Sequence, residues 1–227
     1  MSARGRPGIA TPSGEPVAGP WRARPLTEML ADIRTVLTTP VDRPLILAVD
    51  GRSASGKTTI AKRLAALVTG SAVVHSDDVG WWESFFGWDH LMASGVLEPL
   101  RRSDDVRYRP PAWDLRHRIG AIEVPATAAL VLIEGVGVSR RSLAPLIDGA
   151  LWVQSDMYEA RRRGLQRDGD TQADIDFWDA WDREELAFLA ADRPWERALA
   201  VLCGTPSLAD VAIEHEGQVL IGRSLRP

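Results

Sequence analysis

The chain has 227 residues, 45% hydrophobic and 26% charged, with a formal net charge of −4. That balance fits one soluble α/β domain with a sizeable core, and it gives no general attraction to nucleic acid or to anionic membranes. A lone cysteine, Cys203, excludes an internal disulfide, and no apolar run approaches the roughly 18 residues of a membrane span.

In chain order, Pro7, Pro12, Pro16 and Pro20, interspersed with Gly and Arg, predict a disordered tail over 1–24 and a single domain over 25–227. The tail lacks the apolar segment of a secretory signal, so a cytoplasmic location is expected. Thr27 is positioned to cap a short helix whose Met29, Leu30, Ile33 and Leu37 share a face. Leu45 to Val49 then reads as a buried strand running into Gly51-x-x-x-x-Gly56-Lys57-Thr58, with Ile60, Leu64, Leu67 and Val68 on one face of a following helix. This is the phosphate-binding P-loop pattern in its required strand–loop–helix setting. Gly51 and Gly56 let consecutive N–H groups converge on one anion, and the helix start adds the positive end of its dipole. Gly51, Arg52, Ser53, Ala54, Ser55, Gly56, Lys57, Thr58 and Thr59 are therefore the expected nucleotide-binding residues. Lys57 reaches the β- and γ-phosphates, and Thr58 offers a hydroxyl to magnesium.

Ala72 to His75 reads as a second strand ending at Asp77 and Asp78. In an open α/β sheet ligands sit at the carboxyl ends of the strands. Asp77 is thus placed to take a proton from an attacking hydroxyl, with Asp78 beside it. His75 reads as a satisfied core residue rather than a catalyst. Residues 80–118 are irregular and rich in Trp and Arg. Trp82 and Trp88 fall where an acceptor would lie, in a segment suited equally to packing. Ala128 to Ile133 is a fully apolar strand that ends at Glu134, a carboxylate expected near the metal.

Another strand, Ala150 to Val153, leads to a helix over 156–166 that carries Arg161, Arg162, Arg163 and, just beyond it, Arg167. Arg163 and Arg167 share a face and are the pair expected to stabilise a transferring phosphoryl group, with the lid over about 161–175. Thr171 caps a helix over 172–191, in which Trp178 and Trp181 read as packing. Ala198 to Leu202 is a late strand entering Gly204-Thr205-Pro206, and 208–221 adds an edge strand or hairpin. Strands alternating with helices imply a three-layer α/β fold of the P-loop NTPase kind, nucleoside or nucleotide kinase-like, with a mostly parallel central sheet.

Over 45–206 the chain resembles the uridine kinase and phosphoribulokinase branch of P-loop kinases, and in particular its divergent actinobacterial uridine kinase-like members. The P-loop matches Gly51 to Thr59, the catalytic aspartate matches Asp77, and the strand ending in Glu-Gly matches Ile133-Glu134-Gly135. An Asn-Phe-Asp-His segment is similar to Gly87-Trp88-Asp89-His90. A Tyr-Asp substrate motif with nearby His and Arg resembles Trp113-Asp114 followed by His117 and Arg118, and the lid arginines resemble Arg163 and Arg167. The resemblance implies that Asp78, Trp82, Trp88, Asp89, Trp113, Asp114 and Arg118 bind the acceptor. It departs after the catalytic aspartate, where Asp78-Val79-Gly80 and Trp81-Trp82 replace Ser-Phe-Tyr, and at Trp113, which replaces the substrate tyrosine.

The expected activity is transfer of the γ-phosphate of ATP, with Mg²⁺, to a hydroxyl of a small molecule, first a nucleoside such as uridine or cytidine. A sugar, a vitamin precursor or a natural product stays open as acceptor. So does a nucleoside monophosphate, for which Arg101, Arg102, Arg107 and Arg109 are available. A regulatory P-loop ATPase is the reading from another class. Neither nucleic acid nor membrane is expected as a partner, and homo-oligomerisation is left open.

Overall fold

The computed structural model describes residues 8–223. Strand β1 (Arg22–Pro25) leads into helix α1 (Leu26–Val36), and β2 (Leu45–Gly51) into α2 (Lys57–Ala66). Next come β3 (Ser71–His75), the short α3 (Ser76–Val79), α4 (Asp89–Met92), a π-helical turn over Ala93–Leu97, and α5 (Glu98–Arg101). Strands β4 (Val106–Tyr108) and β5 (Ile122–Val124) form a small antiparallel pair around α6 (Pro111–Leu115). The chain then builds β6 (Leu130–Gly135), β7 (Gly149–Gln154), α7 (Met157–Asp168), α8 (Gln172–Asp192), β8 (Ala200–Cys203) and β9 (Gln218–Arg223).

The main sheet has the order β1-β9-β8-β7-β2-β6-β3. From β8 to β3 all pairings are parallel, while β9 and β1 add an antiparallel edge. Because β2 is buried along its whole length, its alternation sorts apolar residues to both faces rather than to one. Leu45, Leu47 and Val49 pack with Met29 and Ile33 of α1 and with Ile60 and Leu64 of α2. Ile46 and Ala48 face the opposite layer, with Met92, Leu97, Leu100 and Val138. Each fully buried Leu or Ile contributes roughly 1.5–3 kcal/mol of transfer free energy. Two packed faces therefore hold β2 rigidly, and the loop that leaves it starts from a fixed point.

The crossover after β2 runs to β3 at the sheet edge, β6 returns beside β2, and β7 lies on the other side. Chain direction thus diverges around β2, which opens a crevice above its carboxyl end. Asp50 helps to shape that crevice. Its buried carboxylate accepts the N–H of Gly51, Gly137 and Ser139 and the Ser139 hydroxyl, at 2.6–2.8 Å. Burial pushes this carboxyl up, and those four hydrogen bonds oppose the shift.

Two expectations are corrected. The stretch 8–24 is packed, whereas the sequence led us to expect a disordered tail over 1–24; residues 1–7 lie outside the described residues. Ile9 and Trp21 are buried against Trp152, Trp195 and Leu220. Glu15, also buried, accepts Trp152 Nε1 and Gln154 Nε2, both at 2.7 Å. The segment turns at Pro12, whose carbonyl accepts the Glu15 N–H at 3.1 Å, and average composition conceals these anchors. The second correction concerns Thr27, which lies inside α1. Pro25 precedes that helix, and no side chain caps it.

Candidate active site

The P-loop leaves β2 at Gly51, where an added Cβ would lie 2.5 Å from the Val153 carbonyl oxygen. Only glycine fits that approach. Ala54 and Gly56 have φ of 56° and 101°, so the loop turns back through left-handed backbone before α2 begins at Lys57. Within it Ser55 N–H donates to Arg52 O at 3.1 Å, and Lys57 Nζ to the same carbonyl at 2.7 Å. The Ser55 hydroxyl is buried with no hydrogen-bond partner among the described residues. A tight loop of convergent amides at a helix N-terminus, with an orphaned hydroxyl and a buried lysine, fits a polyphosphate.

Beside the loop lies a cleft of about 270 Å³ lined by Ser53, Lys57, Thr58, Asp77, Glu134, Arg167, Phe177, Trp178 and Trp181, among others. The polar members come from the P-loop and the start of α2, from just after β3, from the end of β6 and from the α7–α8 hairpin. Thr58 Oγ1 donates to Glu134 Oε1 at 3.2 Å, and His75 Nδ1 lies 2.5 Å from that oxygen. Burial alone would raise the Glu134 carboxyl. The His75 hydrogen bond and the charge of Lys57 outweigh it, so Glu134 stays below its ordinary range. The same hydrogen bond pushes His75 above the usual imidazole value. His75 is therefore a half-exposed partner of the site carboxylate and not the core residue expected. Among the described residues no group of three or more His, Cys, Asp or Glu forms a metal cluster. A hydroxyl and one carboxylate are nevertheless hard oxygen donors of the kind Mg²⁺ takes while keeping several waters.

Asp77, on α3 directly after β3, reaches this cleft. So does Arg167, which also pairs with Asp168 at 2.6 and 2.8 Å. The bonded Asp168 carboxylate pushes the Arg167 guanidinium up, with Asp77 and Glu134 adding to the effect, so its charge is secure. Arg163 sits apart, donating to Gly204 O at 2.8 Å and to Glu159 at 3.0 Å. Gly204 abuts the second half of the P-loop, since a Cβ there would lie 2.0 Å from Ser55 O.

The residues expected on the acceptor side lie outside the lining of this cleft. Trp88 and Trp113 are buried in the core below the sheet, and their indole N–H groups donate to Phe85 O at 3.1 Å and Asp78 O at 2.9 Å. Arg118 pairs with Asp78 and lies over the Trp113 ring at 3.8 Å. Asp114 pairs with Arg109 at 2.7 Å, Asp89 accepts from Ser142 at 2.6 Å, and the exposed Trp82 is covered by Arg116. In their place α8 supplies Phe177, Trp178 and Trp181.

Helix α8 also holds the first half of the P-loop. Glu185, fully buried, accepts Ser53 N–H at 2.7 Å and Arg52 Nε at 3.0 Å, and Asp182 lies 3.5 Å from Arg52. Sequence reasoning assigned no part to Phe177 or Glu185. The Trp178 and Trp181 spacing was the one signal that this helix faces something large.

No protein-family model matches the chain, and no curated protein matches it in sequence. Solved structures similar in fold include a possible uridine kinase from Bacillus stearothermophilus. It is 20% identical, with a TM-score of 0.49, covering 77% of this chain and 97% of that one. The protein TT1252 from Thermus thermophilus is 23% identical, with a TM-score of 0.40, covering 74% of this chain and 92% of the other. These likenesses concern the fold and not the reaction.

Proposed function

We propose that the protein is a P-loop kinase that moves the γ-phosphoryl group of ATP to a hydroxyl of a small molecule. One observation carries this reading. A carboxylate at the end of β3, Asp77, shares a cleft with Lys57 and Thr58 of the P-loop and with Arg167 of α7. A nucleoside such as uridine or cytidine is the first acceptor to test.

The P-loop amides and Lys57 hold the β- and γ-phosphates. Thr58 and Glu134 would hold Mg²⁺, which would supply positive charge to offset that of the phosphates. His75 fixes the Glu134 carboxylate in place. Asp77 accepts the proton of the acceptor hydroxyl as that oxygen bonds to the γ-phosphorus. The bond from the γ-phosphorus to the bridging oxygen breaks, and ADP leaves. Arg167, which lines the same cleft, balances the charge spread over the transferring group. Arg163, tied to Gly204, stands nearer the second half of the loop and is a candidate for holding the donor side.

A phosphorylated acceptor is less well served. Arg101, Arg102, Arg107 and Arg109 each pair with a carboxylate, Asp148, Asp104, Glu123 and Asp114 respectively, and none lines the cleft.

The test is ATP consumption with Mg²⁺ against nucleosides, nucleoside monophosphates, sugars and vitamin precursors, with each product checked by mass for one added phosphoryl group. Asp77→Asn is expected to bind ATP nearly as the native protein does while turnover falls by about 10²-fold or more. Unchanged turnover would remove Asp77 from the mechanism. ATP loss independent of every acceptor would move the reading to a switch-type ATPase.

A further inference from the structure

Phe177 is a large apolar residue left 54% exposed in a catalytic cleft. Among the described residues its one ring contact is edge-on to Phe85, with centroids 5.8 Å apart and planes at 89°. Phe85 in turn meets Trp181 at 5.0 Å, so the open phenyl ring is backed by a fixed aromatic wall. Covering it would remove apolar surface from water, and a ring stacked on it would add an aromatic contact.

The position of this wall says which ligand covers it. Helix α8 is bound to the first half of the P-loop through Glu185 and the Ser53 amide, whereas the Gly204 loop and Arg163 abut the second half. Phe177 and Asp77 line one cleft, and the Gly204 loop is not part of that lining. The ring therefore stands on the side of the attacking hydroxyl. The competing tryptophans of 80–118 are committed elsewhere: Trp88 and Trp113 are buried, Trp81 packs partly buried against the same core beneath Arg118, and Trp82 lies under Arg116.

Charge narrows the ligand further. The cations among the lining residues are Lys57, which serves the phosphates, and Arg167, which is paired with Asp168. An anionic acceptor would meet Asp77, Glu134 and Asp168 with no cation left over.

We infer that Phe177 is a specificity-determining residue, stacking on a flat aromatic ring of an uncharged acceptor alcohol. This rests on the kinase reading for the use of the site, but binding tests it separately from chemistry.

The experiment is calorimetric titration of the full-length protein, saturated with a non-hydrolysable ATP analogue and Mg²⁺. One set of probes is uridine, cytidine and pyridoxine; the other is ribose, fructose and glycerol. At least one aromatic alcohol is expected to bind tenfold or more tightly than every non-aromatic one. Phe177→Ala and Phe177→Leu should each erase most of that gap, a loss of about 10-fold, with the ATP analogue bound within twofold of native. Phe177→Tyr should keep it. Equal binding of the two sets, no binding by any aromatic probe, or a loss that falls on the ATP analogue would each overturn the inference. Failure of the kinase reading appears differently, as an alcohol that binds but gains no phosphoryl group from ATP.

Discussion

Asp148 shows how much one side chain can organise at the foot of the sheet. Its carboxylate accepts from Arg43 at 2.7 and 2.8 Å, from Arg101 at 2.9 Å, and from the Ile46 N–H at 2.8 Å, pinning the start of β2. Burial would raise this carboxyl, but the Arg43 hydrogen bonds outweigh it and hold the group below the usual carboxylate range. A depressed folded value stabilises above the unfolded value, near 3.9, and the contribution is lost as pH falls through the folded one. Asp148→Asn should therefore cost roughly 1–3 kcal/mol at pH 7 and progressively less below about pH 4. Urea melts of both proteins across that range test it, and a cost that does not shrink in acid would contradict the assignment. Placement that follows from where a strand ends was legible beforehand: Ser53, Ala54, Gly56, Lys57, Thr58, Asp77, Glu134 and, on its helix, Arg167 line one cleft. That of Trp88 and Trp113 was not. Sequence places an indole near a site, whereas only packing decides whether its face is free, and both are consumed by the core.

At the scale of elements, α7 and α8 behave as one hairpin. A Cβ on Gly164 would fall 2.1 Å from the Trp178 ring, so the helices close over that glycine. Arg161 reaches across to Asp179 and Asp182, each at 2.5 Å. Asp182 and Glu185 then meet Arg52, so the hairpin that carries Arg167 and Phe177 is tied directly to the P-loop. Glu185→Gln keeps an acceptor for the Ser53 N–H but leaves the buried Arg52 charge short of its nearest counter-ion. We expect a loss of about 3 kcal/mol, or roughly 6–12 °C in Tm, with no change for the exposed Glu184→Gln. Scanning calorimetry decides, and equal effects of the two substitutions would deny the tether. The α8 boundaries were readable because Thr171 and Asp174 form a capping box around the first turn. The link to Arg52 was not, since partners more than a hundred residues apart leave no local pattern.

Across the whole molecule, the parallel centre was visible as apolar runs alternating with helical periodicity, and the antiparallel edge was only suggested. What the sequence hid was the packed segment before β1. Its prolines and glycines resemble those of a tail, while its anchors are single residues. Glu15 is the polar one. Glu15→Ala would leave Trp152 Nε1 and Gln154 Nε2 without this acceptor in a buried setting, at a cost of about 2 kcal/mol. The urea midpoint should fall with an unchanged slope, and Glu15→Gln should recover much of the loss. An unshifted midpoint for Glu15→Ala would mean that the segment is not held at this point.

The pairing of β1 with β9 also imposes an order in time. Arg22 lies opposite Ile221, so the first strand made has its partner in the last one. At about 5–20 residues per second, a ribosome needs roughly 10–40 s to supply it. Strands β2, β3, β6 and β7 have emerged by then, and the phosphate cradle can assemble while β1 still has no ladder to join. The sheet is finished at the edge that β1 occupies. A nascent chain halted before Gln218 would carry a formed P-loop and an unpaired leading strand.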